Sequence, residues 1–206
     1  MNVLGINTVG KNAFVYLKNN NKVDYVSINQ SVKVSEMLLN SIDELLMRND
    51  LTLSDVGCLA CCVGPGSFTG IRIGIATCKA FLIANKDLKC VAYNTFEPYK
   101  YTIKNGDLYS VCTKSTLYKC KVENCDLKQI EVVDLNSADT ECGYLIDGEV
   151  YSDNSKCFKK IAFDVQDYFD LIDEKIINKI FVSEKDLVPN YACESQAERN
   201  LKNGDK

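Results

Sequence analysis

Residues 63–74 read VGPGSFTGIRIG, four glycines and one of the chain's three prolines in twelve positions. A glycine loop that leaves an apolar run and enters a helix is a place where backbone amides can cradle a phosphate. The two standard spacings are absent. G-x-x-x-x-G-K-[ST] needs a glycine five positions beyond Gly64, which is Thr69, and no lysine follows Gly70. G-x-G-x-x-G starts correctly at Gly64 and Gly66, but its third glycine falls one place late, at Gly70. What is left is a helix start with unpaired amides and a positive dipole end. Gly64, Gly66, Ser67 and Thr69 therefore form a candidate anion or nucleotide loop, with Ser67 and Thr69 as helix caps. The competing reading is a tight turn that binds nothing. The lack of a nearby lysine or acidic metal ligand favours the turn.

Other chemistry is limited by an absence, because none of the 206 residues is histidine. That excludes Ser-His-Asp and Cys-His nucleophile systems, imidazole acid-base catalysis and metal sites that need a histidine ligand. Cys58 and Cys61 have C-x-x-C spacing, but on a strand an odd separation sends the thiols to opposite faces. Cys120 and Cys125 lack a second pair at zinc spacing. No metal site is expected, and the eleven cysteines read as reduced thiols serving as small apolar side chains. Asp167, Asp170, Asp173 and Glu174 read as a solvated helix face. A net charge of −4 with scattered lysines gives no basic face for a phosphate backbone. No stretch approaches the roughly 20 apolar residues that span a bilayer, and a cytoplasmic location is expected.

The elements that position the loop follow from periodicity. VLGIN, AFVYLK and KVDYVSIN read as a three-stranded meander. Val34, Met37, Leu38, Ile42, Leu45 and Leu46 recur at helical spacing. VGCLACCV predicts a buried strand, residues 69–84 a helix, and KCVAYN a fifth strand. Three strands, helix, strand, helix, strand is an α/β lobe with a mixed sheet, the glycine loop leaving the carboxyl end of its fourth strand. Beyond a boundary near 96–105, DLYSVCTKSTLYKCKV and QIEVVDL read as strands. FDVQDYFDLIDEKII reads as an amphipathic helix with Phe163, Tyr168, Leu171 and Ile172 inward. The tail after residue 194 is polar.

The second helix carries apolar residues on all sides, leaving Arg72, Thr77 and Lys79 as its polar positions. A helix apolar all round is buried all round. One side packs on the sheet, and the other wants a cover from the second lobe or another chain. Gly70 and Gly74 lie one turn apart and predict a bare strip on which a partner helix could approach.

GPGSFTGIRIGIATCKAF, residues 64–81, resembles the signature of the TsaB (YeaZ) family, the non-catalytic partner subunit in bacterial synthesis of threonylcarbamoyl-adenosine beside the tRNA anticodon. VSEMLLNSI, residues 34–42, is similar to the family's first-helix pattern H-S-E-x-L-L-P-x-I, with Val34 for His and Asn40 for Pro. Val188-Pro189-Asn190-Tyr191, followed by Glu194 to Glu198, is similar to its closing Pro-x-Tyr segment and tail helix, and IDGEVYSD at 146–153 also matches. The chain departs from the family at Thr113–Thr116, where Asp-Ala-Arg is common, and at Asn7, where the first strand usually has Asp.

The resemblance implies an α/β fold of two ribonuclease-H-like lobes, the actin/hexokinase-like (ASKHA) fold, with a mixed five-stranded sheet in the first lobe. The expected lobes are residues 1–100 and a smaller, divergent 101–206. It implies no independent catalysis and no intrinsic cofactor, ATP and Mg belonging to the partner subunits. The implied partners are a TsaD-like catalytic subunit and a TsaE-like ATPase, with tRNA reached only through the complex; the sequence leaves open whether the chain alone forms a homodimer through the same helices, a natural fallback for an exposed apolar face. Met37, Leu38, Ser41 and Leu45 on the first helix, with Gly70, Gly74, Thr77 and Phe81 on the second, are the expected interface. The rival is an ASKHA ATPase or phosphotransferase using the Gly64–Thr69 loop, which the neutral Asn7 disfavours as a magnesium-holding position. A peptidase reading follows only from an old family label, and the chain cannot assemble a histidine-activated nucleophile.

Overall fold

The computed structural model describes residues 1–10, 13–20, 22–28, 33–139, 142–147, 158–161 and 163–192. Strands β1 (Asn2–Asn7), β2 (Phe14–Asn19) and β3 (Lys22–Ser27) form the expected meander. Then follow α1 (Val34–Arg48), β4 (Val56–Cys62), α2 (Phe68–Ala84) and β5 (Lys89–Tyr93). The sheet order is β3-β2-β1-β4-β5. β1 pairs antiparallel with β2 and parallel with β4, so the sheet is mixed as the sequence predicts.

Side-chain alternation then sorts the layers. Gly5 is opposite Tyr16 and Ile6 opposite Val15, so these two pairs point to opposite faces. α1 and α2 cover the Ile6 face, where Leu38, Ile42, Leu45 and Leu46 of α1 are buried. The Gly5 face takes the Tyr16 ring flat against the glycine backbone, in a place that a Cβ would occupy. β4 is buried on both faces, which is why its sequence is a run of small apolar residues rather than an alternation.

The second sheet has order β10-β9-β6-β7-β8, built from β6 (Asn105–Val111), β7 (Thr116–Glu123), β8 (Asp126–Asp134), β9 (Tyr144–Asp147) and β10 (Lys159–Lys160). The run DLYSVCTKSTLYKCKV, expected as one strand, is the hairpin of β6 and β7. Thr113 makes the turn, its hydroxyl accepting from the Ser115 and Thr116 amides at 3.2 and 3.1 Å.

α3 (Val165–Ile177) is capped by Asp164, whose carboxylate accepts from Gln166 N–H. It falls in the half of the chain expected as the second lobe, yet it packs on the first sheet. Tyr168, Phe169, Leu171 and Ile172 join the first lobe's core, and Phe169 meets Tyr16 edge-on at 5.3 Å. Phe163, expected inward on this helix, precedes it and is 44% exposed. Three ion pairs fasten α3: Lys18 with Asp173, Lys100 with Glu174 at 3.0 Å, and Glu97 with Lys175 at 2.9 Å. From α3 the chain returns to the first sheet, Val182 N–H donating to Cys90 and Asn190 N–H to Val63. The tail from 193 and the IDGEVYSD run beyond Asp147 lie outside the described residues.

Candidate functional site

The glycine loop is tied to its own chain on one side, with Gly64 and Pro65 buried, and leaves Ser67 and Thr69 exposed on the other. Ser67 N–H donates to Val9 O at 2.8 Å, and the Ser67 hydroxyl caps α2 by accepting from Gly70 N–H at 3.1 Å. Gly64 O accepts from Thr95 N–H at 3.0 Å, and Pro65 O from the Thr95 hydroxyl at 2.6 Å. Gly64 has φ +107°, a conformation that favours glycine, and its missing Cβ leaves room for Asn190 O. These contacts make the loop a turn that joins β1, β5 and the returning tail. Of the candidate loop residues Gly64, Gly66, Ser67 and Thr69, Ser67 has its N–H engaged by Val9 O and its hydroxyl caps α2, whereas Thr69 lies inside the helix rather than capping it.

The glycine strip of α2 faces inward. A Cβ at Gly70 would overlap the Thr8 carbonyl, and one at Gly74 would lie 2.5 Å from Thr8 Oγ1. Thr8, 1% exposed just after β1, donates its hydroxyl to Gly70 O at 2.7 Å. The close approach that the glycines predict is therefore made by the protein's own first strand. Leu38, Ser41 and Leu45 are likewise buried at 2%, 3% and 0%. The expected interface set thus divides. Leu38, Ser41, Leu45, Gly70 and Gly74 are core, whereas Met37, Thr77 and Phe81 are half-buried. On α2 the sequence could not separate them, because a helix apolar all round does not say which side meets its own sheet.

What α2 leaves open is a different stripe. Ala76, Ala80 and Ile83 are exposed and Ile73 half-exposed, at the three- and four-residue spacing of one helix face. Arg72 borders it, its Nε donating to Tyr191 OH at 2.8 Å, while the Tyr191 ring stacks on Phe68 at 4.5 Å. The closing Pro-x-Tyr segment thus packs on the first turn of α2. On α1, Leu39 and Met47 stand 55% and 75% exposed.

A second feature is the cleft between the sheets, lined in part by Asn7, Phe14, Thr95, Tyr99 and Tyr168. Asn7 Oδ1 accepts from Val9 N–H at 3.2 Å, so this side chain orders the loop after β1. Among the described lining residues there is no Asp, Glu, Lys or Arg. Among all described residues, no cluster of three or more cysteines and carboxylates could hold a metal ion.

The thiols divide by burial. Cys58, Cys61, Cys62, Cys78, Cys90 and Cys120 are buried and free, and Cys142 is exposed. Burial pushes Cys58 and Cys62 up to about 12 and Cys120 up to about 11. Cys61 is raised by its hydrogen bond with Cys78 and then by burial. A thiol attacks as thiolate, so these groups are inert near neutral pH. Titration with Ellman's reagent at pH 8 is expected to label Cys142 quickly and to reach those six buried thiols only after denaturant is added.

Residues 29–105 match the family model described as TsaD, tRNA N6-adenosine threonylcarbamoyltransferase. Among curated proteins the chain is 24% identical over 168 residues to "Uncharacterized protein MG208" of Mycoplasma genitalium, covering 78% of this chain and 82% of that one. A crystal structure described as an uncharacterized protein with similarity to peptidase YEAZ, from Pseudomonas aeruginosa, superposes with TM-score 0.74 at 15% identity, covering 93% of this chain and 99% of the other. YeaZ from Pseudomonas aeruginosa gives TM-score 0.70 at 16% identity over 92% and 99%. The chain has the YeaZ fold.

Proposed function

We propose that this chain is an accessory subunit of a tRNA-modifying threonylcarbamoyltransferase complex, contributing a docking face rather than catalytic groups. The observation that carries this reading is the open apolar stripe of α2, Ile73, Ala76, Ala80 and Ile83, inside the segment that matches the TsaD family model. Small exposed side chains on a rigid helix let another helix approach closely, and an uncovered apolar face of this kind marks an interaction surface. The occupant is a TsaD-like catalytic subunit, whose own ATP and Mg do the chemistry, with a TsaE-like ATPase joining the assembly. tRNA is bound by the complex, in keeping with a net charge of −4 on this chain. Alone, the same stripe pairs two copies of the chain.

The glycine loop fits this division of labour, because its Ser67 N–H serves the turn and its Ser67 hydroxyl the α2 cap. The test is reconstitution from purified TsaD-like and TsaE-like proteins of the same cell, with tRNA, ATP and a threonylcarbamoyl donor. Modified adenosine in the digested tRNA is expected only when this chain is added. Equal product without it would overturn the reading.

A further inference from the structure

The open stripe of α2 has a charged border as well as an apolar centre. Arg72 stands one turn before Ala76, and Lys79 stands between Ala76 and Ile83, so the two cations share the edge of the stripe away from Ile73 and Ala80. Arg72 is exposed and Lys79 half-exposed, and the exposed Lys86 follows just past the helix end. The chain has no Asp or Glu between Asp55 and Asp87, so no sequence neighbour neutralises this edge. None of the ion pairs formed among the described residues reaches it either. Arg48 on α1, by contrast, is paired with Asp24 and Glu44.

Arg72 is also held in place. Its Nε is committed to the Tyr191 hydroxyl at 2.8 Å. Tyr191 is itself fixed by its stack on Phe68 and by the neighbouring Asn190 N–H, which donates to Val63 O. An arginine ordered in this way presents its two terminal NH2 groups as a fork for a carboxylate, and little side-chain freedom is lost when one arrives. Arg72 and Lys79 are one heptad apart, and charges repeating at that interval beside an apolar seam set partner choice and register. In an antiparallel pairing of α2 with a second copy, the two-fold axis turns this basic edge against itself, which makes a second copy a poor occupant.

We infer that the partner helix that lies on α2 carries Asp or Glu side chains at heptad spacing, and that Arg72 and Lys79 select it over a second copy of this chain. The inference rests on the docking reading, with the TsaD-like catalytic subunit as occupant, and adds the charge that its helix must bring.

The experiment is surface plasmon resonance on the immobilised TsaD-like protein of the same cell, at about 0.1 M and about 1 M NaCl, between which the screening length falls from about 10 Å to about 3 Å. Wild-type binding is expected to weaken as salt rises. Arg72→Glu combined with Lys79→Glu is expected to bind at least tenfold more weakly at the lower salt, chiefly through slower association, and less than threefold more weakly at the higher. Arg72→Gln combined with Lys79→Gln removes charge without adding a carboxylate and is expected to lose about threefold at the lower salt. Circular dichroism checks both folds, and the glutamine variant decides if the reversed one misfolds. A folded variant that binds as tightly as the wild type at low salt, or a loss that persists undiminished at high salt, would overturn the charge inference and leave the docking face standing. No binding by the wild type at either salt would overturn the docking reading, and the charge inference with it.

Discussion

Gly70→Ala is expected to destabilise the chain by about 3 kcal/mol or more, at the upper end for overpacking, because the added methyl has no flexible neighbour to push aside. The atom it would overlap is the Thr8 carbonyl oxygen, part of the backbone. Thr8 is also held by its own hydroxyl, which donates to Gly70 O at 2.7 Å, and Ser67 N–H ties Val9 O to the same helix start. Relief therefore requires moving α2 off β1, which opens the core between Ile6, Ile71 and Ile75. Urea unfolding followed by circular dichroism measures this as a fall in the transition midpoint. A midpoint within error of the wild type would mean that Thr8 is not seated on α2. Gly74→Glu belongs to the same class, since its side chain would start against Thr8 Oγ1. It therefore reports on folding and says nothing about a partner.

Ala80→Glu is the matching change on the open side of α2, and it is expected to leave folding intact while weakening the partner complex about a hundredfold, ~2.8 kcal/mol. Ala80 is exposed in the free chain, and glutamate is a good helix former, so at a dilution where the chain is monomeric its melting temperature should stay within about 2 °C. In a complex the carboxylate would be trapped among Ile73, Ala76 and Ile83 without a cation, and a buried unpaired charge is strongly unfavourable. Ala80→Ser, of nearly the same size and uncharged, should bind almost normally. Surface plasmon resonance with immobilised TsaD-like protein separates the cases. Equal affinity for Ala80→Glu and wild type would move the interface away from this stripe.

The first lobe was legible because its signals are local and periodic. β1 to β5 and both helices follow from alternation, helical spacing and turn residues, and the order of elements constrains the sheet to be mixed. The glycine loop was legible in part. Failed P-loop and dinucleotide spacings pointed to a turn, and the turn is what Val9, Thr95 and Asn190 build around it. Which of the expected interface residues are buried in the free chain was not legible, for a long-range reason. Gly70 and Gly74 do mark a close approach, but the approaching group, Thr8, is over sixty positions away and pattern alone cannot name it. α3 escaped for the same reason, as its apolar face reads clearly while its target, Tyr16 and Phe14 on the far side of the first sheet, is set by tertiary packing. The β6–β7 hairpin was read as one strand because its turn, Cys112 to Ser115, holds neither glycine nor proline. The aromatic cleft gave no sequence signal at all, being drawn from both lobes.

The most direct measurement is light scattering on a sizing column, first with this chain alone and then mixed with the TsaD-like protein of the same cell, with ATP and magnesium present. A new stable peak with the mass of a heteromer, abolished by Ala80→Glu and kept by Ala80→Ser, is the expected result. Two separate peaks at the masses of the unmixed proteins would contradict the scaffold function, and would mean that the open face of α2 serves a partner of another kind.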